Sequence, residues 1–422
     1  MKAAHRPTNN VNEQPVNMPQ NENERTRDAP GDPALIIEID QGTGTRAARY
    51  HYNNKETIEL TCGMRIKRLL SVFGIVALAT TIPTMPKRSR ADVQAPFSVA
   101  DLRVAISSAR QNSRVTIPAG IYNIGNTPLR IEGKRNVQII GAGAGKTIIR
   151  ATASAPYIFE LAGSNDNLTV AGMSLEGAVS LARNTHGLAS GSDRMNLTHA
   201  RFRDLDIRNV AVGISVVGSG SGICDDVQIT SNRLDNIQDV VTSTGVTSGS
   251  GYGIHNDGCS NVRIADNVIR NADRHSIYQA SAYQPDRPKA SGSVVIEHNL
   301  VINHAQTSSL RSEWLVAIAV ARSSNVVVSR NVIVNPYYDA ISIENPPEEN
   351  RTYSIRNVSL IHNTVLGSRG ADIFLTASGT FSSDGNRFYH SNATGLASAP
   401  FIRRGGKGVS GRLTSESGGT RR

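Results

Sequence analysis

The sequence predicts an all-β solenoid, in which short strands repeat in successive coils, and two observations support this. A motif that begins at Asn261 and reads Asn-Val-Arg-Ile-Ala-Asp-Asn recurs along the chain, and its second Asn falls at positions 232, 267, 299, 331 and 363. The steps are therefore 35, 32, 32 and 32 residues. Each coil also contains three short runs of alternating apolar and polar residues, which are typical of half-buried strands. Self-similarity at a period of roughly 20–50 residues indicates a solenoid.

Composition and charge limit the classes of partner. The chain has 422 residues, of which 39% are hydrophobic and 19% charged, and its formal net charge is +10. From Asp92 onward, 32 Lys and Arg residues face 26 Asp and Glu residues. This excess suits an acidic polysaccharide, an acidic lipid or a nucleic acid. No cluster of aromatic and basic residues of the kind that stacks bases is evident, so we do not expect a nucleic-acid partner.

The first 91 residues read as two segments. Residues 1–63 are polar without sustained periodicity, and we expect them to be disordered or to be upstream sequence that is not translated. Residues 64–91 combine a basic start at Met64, an apolar run of 14 residues and a small-x-small end at Ser89–Ala91. That pattern predicts a signal peptide, and hence a periplasmic or secreted protein that is not membrane-bound after cleavage. A membrane anchor is the alternative, although the run is shorter than the ~20 residues of a span.

The predicted domain runs from 92 to 390. Residues 101–110 have apolar side chains at helical spacing, and 115–124 read as strand, turn and strand. Together they predict a cap over the open end of the solenoid, which otherwise exposes unpaired strand edges. In the coil at Asn261 the strands are expected at 262–264, 268–270 and 276–279. Three strands per coil without a helix predict a parallel β-helix, in which each strand pairs with its counterpart one coil away, about 4.8 Å up the axis.

The second Asn of the motif lies between the first and second strand of each coil. Asn tolerates the left-handed backbone conformation that a tight corner needs. Stacked in successive coils, these side chains are also expected to hydrogen-bond to one another as a ladder. We therefore interpret them as structural. The pattern fades near residue 390, and residues 391–422 read as a flexible Gly-, Ser- and Arg-rich tail.

Residues from about 97 to 390 resemble the right-handed parallel β-helix superfamily, which includes pectate lyases and related polysaccharide lyases, hydrolases and epimerases. The Asn-Val-x-Ile-x-x-Asn-x-Ile coils and the lead-in at 101–122 carry this resemblance. It implies an all-β, right-handed parallel β-helix solenoid with a short N-terminal capping helix. The repeats are scaffold, and the superfamily includes many chemistries and pure binding proteins, so the activity must be argued from the site.

Two cysteines occupy equivalent places in consecutive coils. Cys224 and Cys259 each lie two residues before the residue that opens a coil, Asp226 or Asn261. Equivalent positions in adjacent coils are about 5 Å apart, within the Cα range of a disulfide. Because an exported protein meets an oxidising compartment, we predict a disulfide between them. Two buried free thiols are the alternative.

The third strand of each coil is predicted to form the working surface. In the resembled enzymes, substrate lies on the outward face of one sheet, in a groove walled by irregular loops. Here the variable insertions flank the third strands, at 239–251, 280–292, 305–314 and 345–353. Aligning these strands on their buried Ile predicts one outward column, formed by Ser215, His255, Tyr278, Ala319, Ser342 and Phe374.

The candidate catalytic residues are His255, Tyr278 and Arg274. β-Elimination on a uronic acid needs a base, a positive group or metal that stabilises the enolate, and an acid that protonates the leaving oxygen. The three residues suit these roles on adjacent coils. The small Ala319 and Ser342 are expected to leave a trough beside them.

The remaining predictions concern binding. By parity, His275 is expected to point inward or to cap the corner. No cofactor is predicted, a Ca²⁺ requirement stays open, and His298, His304 and His362 lack metal-ligand spacing. The predicted partner is an acidic polysaccharide, and the candidate substrate-binding residues are Asp257, Tyr283, Arg287, Lys289, Arg322 and Glu344.

Several alternatives to a lyase remain. A glycoside hydrolase needs a pair of carboxylates, and the candidates on this face, Asp257, Asp339, Glu344 and Asp372, are scattered over several coils. A C5-epimerase shares the first step of the lyase. From another class, a non-catalytic carbohydrate-binding or envelope-structural solenoid fits the same repeats.

Overall fold

The structure is a computed structural model, and it divides into two compact units, Met1–Met85 and Pro86–Arg422. The residues that it describes are 36–40, 46–52, 56–62, 92–94, 98–152, 155–178, 184–191, 195–218, 222–242, 245–246, 250–280, 292–305, 315–344, 354–392, 395–397, 402–404 and 412–415. Within these ranges, no helix is long and apolar enough to cross a membrane. The predicted signal peptide at 64–91 lies outside the described residues.

The first unit contains a sheet that the sequence analysis did not predict. Three consecutive antiparallel strands, Ile36–Asp40, Arg46–Tyr52 and Glu56–Cys62, pair in sequence order. Short alternating runs such as Thr-Ile-Glu-Leu-Thr at 57–61 account for the strands. These runs are shorter than a window that shows sustained periodicity, so residues 1–63 read as disordered.

The second unit is a parallel β-helix, which confirms the predicted fold class. Its third strands form a ten-stranded sheet in which the two strands of every neighbouring pair run parallel. The strands of this ten-stranded sheet are Leu129–Glu132, Tyr157–Ala162, His186–Ser190, Val212–Val217, Tyr252–Asp257, His275–Ala280, Val316–Ala321, Asp339–Glu344, Ile373–Leu375 and Ile402–Arg404.

The first and second strands of the coils form two further stacks. The first stack consists of Asp92–Gln94, Arg114–Ile117, Gln138–Gly141, Ser164–Asp166, Thr169–Glu176, Asn196–Thr198, Arg201–Val210, Cys224–Thr230, Ser260–Ala265, Val294–Glu297, Val326–Ser329, Ser354–Ile361, Ser378–Asp384 and Arg412–Ser415. The second stack consists of Gly120–Gly125, Thr147–Ala151, Arg233–Ile237, Val268–Ala272, Leu300–Ile302, Val332–Val334, Thr364–Leu366 and Arg387–Asn392, and it also includes the later parts of Thr169–Glu176 and Arg201–Val210. Gly395–Ala397 pairs antiparallel with Arg387–Asn392, and Val241–Thr242 pairs antiparallel with Gly245–Val246.

The chain continues the solenoid beyond the predicted boundary at 390. Ile402–Arg404 pairs in parallel with Ile373–Leu375, and Arg412–Ser415 pairs in parallel with Ser378–Asp384. Residues 391–422 were expected to be a flexible tail because Gly and Ser dominate them. The short β-branched and apolar runs within the segment suffice to add strands to an existing edge.

One helix, Val99–Ser108, packs at the N-terminal end of the coils, close to the predicted 101–110. Ser98 is its N-cap, and its hydroxyl accepts from the backbone N–H of Asp101 at 3.2 Å. Leu102, Ala105 and Ile106 form its buried face. The helix therefore covers apolar side chains of the first coil, as a cap does.

The interior contains the predicted asparagine ladder. Nδ2 of Asn267 donates to Oδ1 of Asn299 at 2.9 Å, and Asn299 donates in the same way to Asn331. The predicted left-handed conformation of these asparagines is wrong. It belongs to the residue before each of them, for example Asp266 at φ 58° and His298 at φ 55°. The preceding residue makes the corner, and the Asn side chain can then turn inward to the ladder.

Cys224 and Cys259 are bonded to each other, with their Cα atoms 4.5 Å apart. Cys224 follows the third strand that carries Ser215, and Cys259 follows the third strand that carries His255. The bridge therefore joins two adjacent coils beside the ten-stranded sheet.

Candidate functional site

The strand register that the sequence predicts for the ten-stranded sheet is confirmed. Ile214, Ile254, Ile277, Ile318, Ile341 and Ile373 are register partners in successive strands, and each is fully buried. The residues that follow them are also partners, in the order Ser215, His255, Tyr278, Ala319, Ser342 and Phe374.

His255 and Tyr278 lie side by side on this face. They are register partners on adjacent strands, and their ring centroids are 5.4 Å apart. Nδ1 of His255 is 3.1 Å from the hydroxyl of Ser215 on the preceding strand. When Nδ1 donates this hydrogen bond, Nε2 carries the lone pair and is able to accept a proton. Both rings are half-buried.

Two further aromatic residues, Tyr252 and His275, complete a cluster with this pair. The Tyr252 ring stacks on the rings of His255 and His275, with centroid distances of 5.1 and 5.3 Å. The His275 ring in turn stacks on the Tyr278 ring, with centroids 5.0 Å apart. The guanidinium of Arg274 lies 5.4 Å from the centre of the Tyr252 ring, a cation–π contact. The three predicted catalytic residues, His255, Tyr278 and Arg274, thus all contact Tyr252, a residue that was not predicted to belong to the site.

His275 was predicted to point inward or to cap the corner, and the inward placement does not hold because the strands do not alternate strictly. Ser276 bonds to the fully buried His304 through its hydroxyl, at 3.2 Å, so Ser276 and Ile277 both face the interior. The His275 ring instead stacks on Tyr278 of the outward column while staying only 4% exposed, and its Nδ1 donates to the carbonyl of Val316 at 3.0 Å. The strand of Tyr252 breaks the alternation in the same way. A Cβ atom added to Gly253 would lie 3.0 Å from the side chain of Ile269 in the second stack, so Gly253 and Ile254 both face the interior. The sequence did contain a signal for this cluster, because Tyr252 and His275 are aromatic residues that open two aligned third strands.

Arg322 follows the strand Val316–Ala321, and Glu344 ends the next strand of the sheet, Asp339–Glu344. The backbone N–H of Arg322 donates to the carbonyl of Glu344 at 2.9 Å. The charge of Arg322 lowers the pKa of His255, Tyr278 and Glu344. Asp257 follows His255 on the same strand and acts on the pKa of Tyr278. Arg322, Asp257 and Glu344 therefore all act electrostatically on Tyr278.

Burial sets the protonation states of the predicted base and the predicted acid. Burial, together with the charges of Arg274 and Arg322, lowers the pKa of His255 to about 4, so the imidazole is neutral at pH 7. Burial, with the charge of Glu344, raises the pKa of Tyr278 above its ordinary value and keeps the phenol protonated. Burial raises the pKa of Glu344 to about 7.

The predicted trough beside the two rings is not open. Ala319 and Ser342 have the predicted outward register, yet both are 0% exposed, and Glu344 is only 3% exposed. His255, Asp257, Arg274, Tyr278 and Arg322 are half-buried instead. The accessible part of the face therefore lies at the strands of His255 and Tyr278, whereas Ser215 and Ala189, the preceding positions of the same column, are buried.

Two carboxylates on the face are engaged elsewhere. Asp339 accepts from the backbone N–H of Ala371 at 2.6 Å, and the hydroxyl of Ser368 donates to Asp372. Both aspartates are buried. Across the described part of the chain, no group of three His, Cys, Asp or Glu side chains is arranged to hold a metal ion. Tyr283, Arg287 and Lys289, which are also predicted to bind substrate, lie outside the described residues.

Comparisons with known proteins relate this architecture to solved structures. No protein-family profile and no curated protein matches the chain. An alginate lyase from Paenibacillus sp. strain FPU-7 superposes with a TM-score of 0.51 at 14% identity, over 74% of this chain and 98% of that one.

Two further solved structures are less similar. A GH87 α-1,3-glucanase from Streptomyces thermodiastaticus gives a TM-score of 0.47 at 17% identity, over 82% of this chain and 70% of that one. A tailspike protein of E. coli bacteriophage HK620, in complex with a pentasaccharide, gives 0.49 at 13% identity, over 76% of this chain and 62% of that one. At these identities the likeness is one of fold.

Proposed function

We propose that the protein binds an acidic, uronic-acid-containing polysaccharide and cleaves it by β-elimination. The observation that carries this proposal is the pair of His255 and Tyr278, in register on one sheet face with Arg274 and Arg322 beside them. A neutral imidazole, a protonated phenol and two guanidinium groups are the base, the acid and the positive charge that the reaction requires. The fold of the solved alginate lyase supports the same class of activity by analogy.

Each group has a defined part in the proposed reaction. Nε2 of His255 takes the C5 proton, and the electron pair of that C–H bond forms the C4–C5 double bond. The bond from C4 to the glycosidic oxygen breaks, and Tyr278 gives its hydroxyl proton to the departing oxygen. Arg274 and Arg322 bind the uronate carboxylate and stabilise the negative charge that spreads onto it. The proton then returns from the imidazolium to the tyrosinate, directly or through solvent.

A hydrolase is less compatible with this geometry. Asp257 and Glu344 occupy the same register column three strand steps apart, which is about 14 Å between backbones at ~4.8 Å per step. A glycosidase pair lies roughly 5–9.5 Å apart. The main alternative to a lyase is a non-catalytic carbohydrate-binding solenoid. It would use the same arginine side chains and aromatic rings to bind the sugar, but it would transfer no proton.

The test is incubation of the purified protein with a panel of uronic-acid polymers, followed by ultraviolet absorbance of the unsaturated product. We expect absorbance to rise with at least one polymer and to be lost in His255→Ala. The exposed His362 lies away from the ten-stranded sheet, so His362→Asn is the matched control and should keep the rate. Binding without absorbance favours the non-catalytic solenoid, and proton exchange at C5 in heavy water without absorbance favours a C5-epimerase.

Two accompanying proposals concern metal and export. Because Arg274 and Arg322 supply positive charge, we propose that elimination needs no metal, and a chelator should leave the rate unchanged. A rate that is lost on chelation and restored by Ca²⁺ contradicts this. We also propose that the chain is exported, which the signal-like segment at 64–91 and the disulfide support. Amino-terminal sequencing of the mature protein tests the signal peptide, and a mature chain that begins before Met64 rules out cleavage of a signal peptide at 64–91.

A further inference from the structure

We infer that the preferred substrate is a uronate whose C5 proton and glycosidic oxygen at C4 lie on the same side of the sugar ring, as in the gluco and manno configurations. This inference rests on the proposed function and narrows its substrate class. The galacto and gulo configurations place the two groups on opposite sides of the ring. The protein would therefore carry out a syn elimination.

The relative position of the base and the acid supports this choice. His255 and Tyr278 are register partners, so their side chains leave the same face of the sheet one strand apart, about 4.8 Å between backbones. Their ring centroids are 5.4 Å apart, and both rings contact Tyr252. A sugar that lies over this face presents one side of its ring to both groups. A proton and an oxygen on that side are within reach together, because C4 and C5 are bonded neighbours.

The opposite geometry does not suit these two side chains. For an anti elimination, the acid and the base must approach C4 and C5 from opposite sides of the ring. Tyr252 packs against His255, Tyr278 and His275, so each ring of the pair is held in place by aromatic contacts. Neither ring is free to swing to the far side of a bound sugar without breaking this cluster.

The experiment compares four homopolymers, namely mannuronan, glucuronan, polyguluronate and polygalacturonate. We expect kcat/KM on the better of the first two to exceed that on either of the last two by at least about tenfold, since a misplaced catalytic group costs this much or more. Preference for polyguluronate or polygalacturonate overturns the inference and leaves the proposed lyase standing. No product from any uronic-acid polymer overturns the proposed function itself.

A second, independent observation is an aromatic pair further along the same face. Tyr157 and His186 are register partners on the second and third strands of the ten-stranded sheet, and their rings meet edge to face with centroids 5.4 Å apart. Both are half-buried. Burial lowers the pKa of His186 to about 4, so this ring is uncharged at pH 7. We propose that the pair is a second sugar-binding subsite, which holds a residue of the same polymer by its apolar ring face.

Distance and register connect the subsite to the catalytic pair. His186, Val212 and Tyr252 are successive register partners, so His186 lies two strand steps, about 10 Å, from the aromatic cluster. The strand of Tyr157 is one step further away. This separation matches a sugar several residues along an extended chain, and the subsite therefore affects long substrates only.

Binding to oligomannuronates and oligogalacturonates of two and six residues tests the subsite without requiring cleavage. We expect Tyr157→Ala to weaken binding of the better hexasaccharide roughly three- to tenfold, and Tyr157→Phe to preserve it, because stacking needs the ring. Disaccharide binding should not change. The loss should also be independent of salt, whereas the loss in Arg274→Gln should shrink as salt screens the charge.

Tyr389→Ala is the matched control, since Tyr389 is half-buried on the second stack and away from the face. Equal losses in both tyrosine variants, or no loss in Tyr157→Ala, overturn the subsite. Hexasaccharide binding that depends on Tyr157 without any elimination keeps the subsite and rejects the lyase.

Discussion

His255 and Tyr278 are direct register partners on two parallel strands, and their rings are held 5.4 Å apart by a shared neighbour, Tyr252. Parallel pairing makes this distance a property of the backbone, because equivalent positions recur at each strand step. The pair is thus preorganised before any sugar binds. Preorganisation is what a proton-transfer pair requires, since misplacement by about 1 Å can cost 100-fold in rate.

Removing either partner should remove the elimination while keeping the fold. We expect His255→Ala and Tyr278→Phe each to lower kcat by roughly 10²–10⁴-fold, the usual contribution of a general base or acid. The double variant should be little slower than the worse single variant, because the two groups act in one step. Steady-state rates on the best polymer measure this, with His362→Asn and Tyr389→Phe as controls. Losses that multiply in the double variant contradict a concerted role.

The rate should depend on pH through the neutral form of His255. Its pKa is lowered to about 4 by burial and by neighbouring charges, so the base form exists above that pH. We expect kcat/KM to rise with pH up to about 5 and to stay level up to about pH 6, above which the ionisation of Glu344 lowers it. A midpoint near the ordinary histidine value of about 6.5 contradicts this. The depressed pKa also adds stability above 6.5 that is lost as pH falls toward 4, so circular dichroism at each pH must accompany the rates.

The third-strand register could be predicted from the sequence because each strand contains an Ile that must be buried. That single constraint placed His255 beside Tyr278, and Arg274 and Arg322 followed from their positions at the strand ends. The orientation of Tyr252 and His275 could not be predicted, since it depends on two consecutive inward residues at Gly253–Ile254 and at Ser276–Ile277. The complete burial of Ala319 and Ser342 could not be predicted either. Small side chains predict a depression in the sheet face, but they do not show whether other parts of the chain fill it.

Glu344 should couple substrate affinity to pH near neutrality. Burial raises its pKa to about 7, so the side chain is neutral below that pH and negative above it. Once ionised, it offsets the charge of Arg322 and Arg274, which are needed for a uronate. We expect the affinity for an acidic hexasaccharide to fall as pH rises from 6 to 8, and Glu344→Gln to abolish this fall. Titration calorimetry at the two pH values measures it, and an unchanged fall in the variant contradicts the assignment.

The same carboxyl group should also affect stability, with a sign that follows from its raised pKa. Its contribution is fully present below the unfolded value of 4.5 and is lost as pH rises through about 7. Glu344→Gln should therefore raise the free energy of unfolding at pH 8, by on the order of 1–3 kcal/mol, and change it less at pH 5. Denaturant unfolding at both pH values checks this. Equal effects at pH 5 and pH 8 argue against a buried, reluctantly ionised Glu344.

Reduction of the disulfide should weaken the coils without removing the catalytic pair. Cys224 and Cys259 are separated by 35 residues, and closing a loop of that size is worth about 3–4 kcal/mol in the chain-entropy account. We expect the reduced protein to lose about this much unfolding free energy, and the double variant Cys224→Ser, Cys259→Ser to show the same loss without responding to reductant. His255 and Tyr278 are held by register and ring contacts, so kcat at 25 °C should be retained. Free alkylation of both thiols in the unreduced protein is the outcome that excludes the bridge.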